Sequence, residues 1–396
     1  LKTVNKMKRY KIALLFASSL LFVQCSLLDK FKSKDEDDAP ATNTEEEEGS
    51  YTSHWYYSYE VLEQIDFETM GLGSVDEFKP YTVASLGDTL FVANIAAAPN
   101  VIVFDKAKSR PLSVISDWEV NGQTKGFGSI IYAIVATNER LYVAERESRI
   151  HVFGLPDLNY ITCIGNGKWG GPVFEAQALA VKDGMIYARD KDGGVSIYKD
   201  ADATPENYEK VQRYKKTATY TQNNGFNPHY MEFDTDGNIM LTDFEGMAIR
   251  VLDPSLVTDD MKNGTSIDIE DKKLLTNTFK PRTFAVSGDR LYVTANNGAI
   301  NIYDYEQKEW VKTLKSAKGM TFGNPERVYA DNDILWVSDI NKKVLAKMGV
   351  FKNEIREYSK VSPNIIKVDR VMTYGDEPET FYVDITTHEI VDPFAE

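Results

Sequence analysis

A strand-turn-strand unit that recurs along this chain restricts its fold more than any other feature of the sequence. Each copy contains an apolar triplet that follows a Gly, Asp or Asn turn, and a short apolar strand precedes that turn. Gly and Asp accept the positive φ of tight hairpins, so each copy is expected to contain a β-hairpin. The triplets lie 44 to 53 residues apart, at residues 90–92, 141–143, 186–188, 239–241, 291–293 and 335–337.

A third and a fourth strand complete each unit. The third follows the triplet, as at residues 101–105 and 300–304, and a more polar segment such as 310–314 comes next. Four-stranded units that recur at about 50 residues are typical of the blades of a β-propeller. We therefore predict an all-β propeller of four-stranded antiparallel blades.

The repeats share further residues outside the triplets. A Phe and a Pro precede the innermost strand, as in Phe279 and Pro281, and an Ile-x-Ile-Tyr strand follows the triplet at 300–303. The same Phe and Pro recur in three more places: 78 and 80, 226 and 228, and 322 and 325. In these features the chain resembles NHL-type propeller repeats over most of residues 78–350, and the resemblance implies the same architecture.

The two ends of the repeat region determine the number of blades. Residues 365–373, 380–384 and 388–391 have the pattern of three further strands, and Phe381 in the second of them lies 46 residues, about one period, after Leu335. Segment 59–65 is similar to the outermost strand at 309–314 and could supply the fourth. Pairing of N- and C-terminal strands would remove exposed sheet edges. We therefore favour seven blades, closed by such pairing, over the alternative of six.

The N-terminus has the pattern of an export signal. Residues 8–11 contain three basic side chains, and the apolar run 12–23 that follows is shorter than the roughly 20 residues a membrane-spanning helix needs. Cys25 comes almost directly after this run. A cysteine in this place is similar to the lipobox of bacterial lipoproteins. The resemblance implies cleavage before Cys25 and acylation of its thiol, with palmitate among the attached chains.

The segment after Cys25 is strongly acidic. Residues 29–50 contain nine acidic and three basic side chains. Like charges extend such a segment, and it buries little apolar surface, so we interpret it as a tether. An acidic stretch here is similar to the signal that places some Gram-negative lipoproteins on the cell surface; a plain solvated spacer is the alternative. We predict a signal peptide at 1–24, an acylated tether at 25–54 and a propeller at 55–396.

The charge balance argues against one class of partner. The chain has 60 acidic and 45 basic residues, which gives a net charge of -15. A surface this acidic repels phosphate, so a nucleic-acid partner is not expected.

A column of polar residues forms the candidate ligand site. Propeller ligands usually meet one mouth of the central channel, so we compared the residues that begin the innermost strands. These are polar or tyrosine in every repeat, whereas the residue two positions later is always apolar. The candidate binding residues are Tyr81, Tyr132, Gln177, His229, Arg282 and Glu326, together with the adjacent Arg327. The alternative is that they merely end strands at a solvated rim.

Catalytic and metal-binding signatures are weak. G-x-S-x-G, P-loop and H-E-x-x-H motifs are absent, and the four histidines are too scattered for a three-His zinc site. Polar residues that follow the triplets could line a calcium site, or could hydrogen-bond backbone within each blade. They are Asn94, Glu145, Asp190, Asp243 and Asp339. We predict no catalytic residue and no cofactor, with calcium as the alternative.

Two other features allow a functional and a structural interpretation. Cys163 lies in the apolar run 160–164, so a buried, inert thiol is favoured over a nucleophile. The aromatic cluster at 55–59 could stack on sugar rings or dock on a partner, or could simply pack the closing strand.

Together these features favour a binding protein without catalysis. We expect a lipid-anchored, surface-exposed outer-membrane protein whose propeller binds a protein partner or a nutrient ligand. In this it is similar to the accessory lipoproteins of outer-membrane uptake complexes. Two alternatives stay open: a divalent-cation-dependent hydrolase or lyase with its site in the propeller mouth, and a periplasm-facing scaffold for envelope assembly. Propellers host enzymes and scaffolds alike, so the fold does not decide between them.

Overall fold

The computed structural model describes residues 51–165, 175–189, 194–199, 216–221, 227–257, 265–268, 273–276, 278–358, 364–371, 379–384, 386–387 and 389–391. The predicted signal peptide, Cys25 and the acidic run of the tether lie outside the described residues, as does Asp190. The described chain divides into two compact units, Glu60–Gly349 and the residues on either side of that range. None of its helices is long and apolar enough to cross a membrane.

The larger unit contains six blades among its described residues, each an antiparallel sheet. Strand β1 (Tyr51–Ile65) begins the described chain. The first blade has β2 (Pro80–Leu86), β3 (Thr89–Asn94), β4 (Asn100–Asp105) and β5 (Arg110–Ile115), and the hairpin of β6 (Asp117–Val120) and β7 (Gln123–Gly126) follows it. The second has β8 (Ile131–Ala136), β9 (Arg140–Glu145), β10 (Arg149–Gly154) and β11 (Tyr160–Ile164). The third has β12 (Leu179–Lys182), β13 (Met185–Arg189), β14 (Val195–Lys199) and β15 (Lys216–Thr221).

The remaining blades follow the same order from the innermost strand outward. The fourth has β16 (Pro228–Phe233), β17 (Ile239–Asp243), β18 (Ala248–Leu252) and β20 (Lys273–Thr276), while the intervening β19 (Thr265–Asp268) pairs in parallel with β15. The fifth has β21 (Pro281–Ser287), β22 (Arg290–Ala295), β23 (Ile300–Asp304) and β24 (Trp310–Leu314), and the hairpin of β25 (Ser316–Ala317) and β26 (Met320–Thr321) follows it. The sixth has β27 (Pro325–Asp331), β28 (Ile334–Asp339) and β29 (Val344–Tyr358), with which β1 pairs. Short 3-10 turns occur at Val75–Glu77 and Pro254–Leu256.

The hairpin turns between the first two strands of the blades are those that the repeat predicts. Gly87, Gly184, Gly237 and Gly288 have φ of 54°, 71°, 85° and 57°. Residues with a Cβ rarely adopt this left-handed conformation, so Gly at these positions lets the inner strand reverse directly into the triplet strand. The triplets are almost fully buried and pack between adjacent blades. For example, Trp336 of the sixth blade packs with Leu90 of the first.

The prediction of seven blades is wrong, although the three C-terminal strands exist. They are β30 (Ile365–Val371), β31 (Glu379–Asp384) and β32 (Glu389–Val391), and they pair in series onto the C-terminal half of β29. These strands belong to the smaller unit, which consists of the described residues on either side of Glu60–Gly349. Within it the Asn353 amide donates to the Ser58 hydroxyl at 3.0 Å.

The physical reason for the different blade number is the length of β29. It has 15 residues, whereas the third strands of the other blades have five or six. Its extra backbone groups, from Lys352 to Glu357, are therefore available to pair with β30. Sequence spacing alone indicated one more period, but spacing does not specify which strand is the pairing partner.

Candidate functional site

The innermost strands line the centre of the larger unit. They contact one another in the order β2, β8, β12, β16, β21 and β27, and β27 also contacts β2. Five of these strands begin with a β-bulge, a place where the register with the triplet strand shifts. The extra residue in a bulge is not held in the ladder and its side chain is re-aimed. The predicted column residues Tyr81, Tyr132, His229, Arg282 and Glu326 lie in these bulges.

Proline favours the bulge at the start of four of these strands, whereas the bulge of β8 follows Ile131. Four of the innermost strands begin with Pro80, Pro228, Pro281 or Pro325. Proline has no N–H to give to a ladder, so it is tolerated at the first residue of a strand and beside a bulge. The Pro that suggested the repeat pattern thus also positions the candidate binding residue that follows it.

Arg327 joins four blades through its guanidinium. Its Nη1 donates to the backbone oxygen of His229 at 2.7 Å and to that of Arg282 at 3.4 Å. Its Nη2 donates to the Tyr81 hydroxyl at 3.1 Å, and the guanidinium carbon lies 4.8 Å from the centre of the Tyr81 ring. Because Arg327 is 4% exposed, these contacts hold the sixth blade to the first, fourth and fifth.

Two tyrosines lie next to Arg327. The ring centres of Tyr81 and Tyr132 are 6.1 Å apart, at 42° to each other. Burial raises the pKa of Tyr132, and the charge of Arg146 and a hydrogen bond with Gln177 oppose part of that rise. The Gln177 side-chain oxygen is buried and has no hydrogen-bond partner within the described residues.

Arg282 and Glu326 form an ion pair across adjacent blades, and the Asn324 amide also donates to Glu326 at 3.4 Å. Both side chains are largely buried, so the pair is screened less by solvent than a surface ion pair. The Arg282 charge is thereby largely neutralised, which leaves Arg327 without a carboxylate partner of its own in the described structure.

His229 is held as a neutral ring. It stacks on Phe244 with the ring centres 4.2 Å apart and the planes at 4°. Burial, together with the nearby charges of Arg327, Arg189 and Arg282, lowers the pKa of His229 to about 3. At neutral pH this side chain therefore offers one donor and one acceptor and carries no charge.

Arg189 is a member of this site that the column comparison did not include. Its backbone N–H donates to the Ala178 oxygen at 3.1 Å, which places it beside Gln177. Its Nε and Nη1 are buried and have no hydrogen-bond partner within the described residues. The repeat could have revealed it, because every other blade has a small residue at this position, directly after the triplet: Ala93, Ala144, Thr242, Thr294 and Ser338. We call Tyr81, Tyr132, Gln177, Arg189, His229, Arg282, Glu326 and Arg327 the channel site.

Three of those small residues have a hydroxyl that hydrogen-bonds the adjacent blade. The hydroxyls of Thr242, Thr294 and Ser338 donate to the backbone oxygens of Arg282, Glu326 and Tyr81, at 3.4, 2.9 and 2.6 Å. Each therefore binds the column residue of the next blade. By the same pattern, the side chain of Arg189 would donate to the backbone oxygen of His229. That oxygen accepts from Arg327 instead.

The described candidate calcium ligands hold backbone or an arginine in their own blades. Asn94 accepts from the Lys79 N–H at 2.8 Å, and Glu145 accepts from the Gly128 N–H at 2.9 Å. Asp243 accepts from the Asn227 N–H at 3.2 Å and from Arg250 at 2.8 Å, and Asp339 accepts from three backbone N–H groups. These contacts are the ones expected if the residues hydrogen-bond backbone within each blade, which was the alternative to a calcium site. The described residues contain no cluster of three His, Cys, Asp or Glu side chains that could hold a metal ion.

Cys163 and the described tyrosines of the aromatic cluster, Tyr56, Tyr57 and Tyr59, are buried or partly buried. The Cys163 thiol is buried, and burial raises its pKa to about 12, so it is not a thiolate at neutral pH. Tyr59 is buried, and burial raises the pKa of Tyr56 to about 12. The Lys352 ammonium lies 5.8 Å from the centre of the Tyr57 ring.

Glu232 carries a pH-dependent contribution to stability. Burial raises its pKa to about 7, and the Tyr230 hydroxyl donates to it at 2.8 Å. An unfolded glutamate has a pKa of about 4.3, so the folded chain binds the extra proton between those values and its stability falls as the pH rises through that range. We expect Glu232→Gln to be more stable than wild type by about 3 to 4 kcal/mol at pH 8 and nearly equal to it at pH 4.

Urea unfolding of the two proteins at both pH values measures this difference. Glutamine keeps a carbonyl oxygen for the Tyr230 hydroxyl, so the comparison isolates the charge. Leu112→Gln, at an exposed position without a titratable group, is the control and should give the same difference from wild type at both pH values. A Glu232→Gln difference that does not change with pH would refute a raised pKa.

Comparison with solved structures gives distant similarities. The chain is 14% identical to a structural genomics protein of unknown function from Bacteroides thetaiotaomicron VPI-5482, over 75% of this chain and 76% of that one, with a TM-score of 0.48. It is 11% identical to the Cps50 (Swd1) β-propeller domain of Myceliophteria thermophila, over 68% and 96%, with a TM-score of 0.45. It is 11% identical to the computationally designed Ika8 protein, over 80% and 86%, with a TM-score of 0.38. No curated protein sequence matches the chain.

The family comparison is more specific. The Tachylectin family model matches residues 114–326, which is more than half of the chain and extends from the first blade to the start of the sixth. The propeller that the repeat pattern predicted is confirmed, and it is of the lectin-like binding type. The chain belongs to the Tachylectin family.

Proposed function

We propose that this protein is a non-catalytic lectin that binds a carbohydrate, as a nutrient ligand, at the channel site. The observation that carries the proposal is the combination of Tyr81, Tyr132 and Arg327 at the centre of a propeller of the Tachylectin family. Tyrosine presents an apolar ring with a polar tip, which suits the mixed faces of a sugar. Few, precisely placed polar groups beside apolar surface are typical of ligand sites.

The free hydrogen-bonding groups of the site support the same ligand class. The Gln177 oxygen is a buried acceptor without a partner in the described structure, and the Nε of Arg327 is a buried donor without one. Buried polar groups are nearly always satisfied, and unsatisfied ones require an explanation. Sugar hydroxyls donate and accept, so one ligand could satisfy both groups.

We further propose that Cys25 carries the lipid of a bacterial outer-membrane lipoprotein and that the acidic tether displays the propeller on the cell surface. There it would act as an accessory subunit of an outer-membrane uptake complex. What supports this is the basic and apolar N-terminal pattern, the cysteine after it and the acidic segment at 29–50. Protease treatment of whole cells distinguishes this location from a periplasm-facing scaffold: a surface protein is degraded and a periplasmic one is protected.

Calorimetric titration with the glycans that bind in a screen tests the binding proposal. Tyr132→Ala should weaken binding about tenfold, because aromatic contact contributes roughly 0.5 to 1.5 kcal/mol beyond the buried area. Trp310→Ala is the matched control, since Trp310 is 59% exposed on the outermost strand of the fifth blade, and it should leave the affinity unchanged. The proposal fails if no glycan binds, or if Tyr132→Ala binds as tightly as wild type.

A further inference from the structure

The guanidinium of Arg189 is only partly paired among the described residues: the charge of Glu175 acts on it, but two of its nitrogens have no hydrogen-bond partner. Its Nε and Nη1 are buried without a hydrogen-bond partner in the described part of the chain. A buried charge is strongly unfavourable unless it is paired and hydrogen-bonded. Its backbone position beside Ala178 puts it at the start of the third blade's innermost strand, next to Gln177.

An arginine at this position is found in the third blade alone among the six described blades. The five other blades have Ala, Thr or Ser at the equivalent position. The hydroxyls among them bind the neighbouring blade, whereas the corresponding oxygen of His229 accepts from Arg327. Within the described structure Arg189 therefore makes no hydrogen bond from Nε or Nη1, and these donors are available for a ligand.

The charges around Arg189 are mainly positive. Arg327 binds backbone oxygens and a tyrosine, and Arg282 is paired with Glu326. Glu175 lies 3.8 Å from the Nε of Arg146, measured from its Oε1. Among the described residues, these four guanidiniums thus compare with two carboxylates, and the charge of Glu175 acts on Arg189 as well. The chain as a whole has a net charge of -15. A local excess of positive charge in an acidic protein favours an anionic ligand at this one place.

We propose that the channel site takes an acidic saccharide, a sugar that carries a carboxylate or sulfate group, and that Arg189 binds this group through Nε and Nη1. This rests on the proposed function and names its ligand class. A guanidinium fork matches the geometry of an oxyanion, with which it forms paired, charge-assisted hydrogen bonds. The tyrosines then contact the sugar ring. Because His229 is neutral, Arg189 rather than His229 pairs with the negative charge of the ligand.

Matched pairs of probes that differ only in charge test the proposal. A uronic acid trisaccharide is compared with its methyl ester, and a sulfated disaccharide with its desulfated form, by calorimetry on the full chain. We expect at least one charged probe to bind roughly ten to a hundredfold tighter than its neutral partner. Arg189→Gln should abolish that difference, and the exposed Arg110→Gln on β5 should retain it.

The outcomes separate this inference from the proposed function. If neutral forms bind as tightly as charged ones, carbohydrate binding stands and the acidic-ligand inference is overturned. If neither these probes nor any glycan of the screen binds, both are overturned. If Arg189→Gln does not fold, as judged by its thermal melt, the wild type decides: added salt should weaken binding of the charged probe and not of the neutral one, and equal salt dependence contradicts the inference.

Discussion

Replacing Arg327 with methionine should lower the free energy of unfolding by about 3 kcal/mol. The substitution keeps the length of the side chain and removes the donors to the His229 oxygen and the Tyr81 hydroxyl. Each buried polar group that loses its partner costs about 1 to 3 kcal/mol. Arg327 also holds the sixth blade to the first, fourth and fifth, so its loss affects the centre of the propeller.

Urea unfolding of wild type and Arg327→Met, followed by tryptophan fluorescence, measures this loss. Arg110→Met is the matched control, because Arg110 is exposed on the outermost strand of the first blade, and it should change stability little. Arg327→Lys should be intermediate, since a single ammonium cannot span the same acceptors as the guanidinium fork. A loss below about 1 kcal/mol for Arg327→Met would show that the contacts at the centre do not hold the blades together.

Asp339→Ala should destabilise the chain by a similar amount, about 3 kcal/mol. Asp339 is 0% exposed and accepts from the backbone N–H groups of Gly323, Asn324 and Lys342 at 2.5, 2.9 and 3.0 Å. Alanine leaves these donors without an acceptor, and unpaired N–H groups away from water are costly. The carboxylate thus fixes both the loop before β27 and the turn after β28.

The same unfolding experiment applies, with Asp88→Ala as the control because Asp88 lies in an exposed hairpin turn. Asp339→Asn keeps one oxygen acceptor and should lose less than Asp339→Ala. If the residue instead served a calcium site, adding calcium to wild type would raise its stability and adding it to Asp339→Ala would not. A calcium-independent loss of about 3 kcal/mol is the expected result.

Local rules made much of the fold predictable from the sequence. Gly at a hairpin turn, an apolar triplet and a Pro at the start of the innermost strand each act over a few residues, so Gly87 and Pro80 could be interpreted correctly without a structure. The polar column was also found from spacing, because a bulge occurs at the same place in five blades. The repeat period could not predict that β29 pairs with β30, because this pairing depends on the length of β29.

The contacts of the channel site were beyond the sequence for a different reason. Arg327 binds residues 98 and 246 positions away, and nothing in a repeat of about 50 residues indicates which blades its side chain reaches. Arg189 could have been found as the one large residue in a column of small ones. The reason to assign it a ligand, however, is that its Nε and Nη1 have no hydrogen-bond partner among the described residues, which only the structure shows.

A crystal structure of the full chain with the tightest glycan from the screen tests the central claim most directly. We expect saccharide density at the channel site, with a ring against Tyr132 and hydrogen bonds to Arg189 or Arg327. Density on the outer strands instead, for example against the exposed Trp310, would contradict it and assign ligand binding to the rim of the propeller.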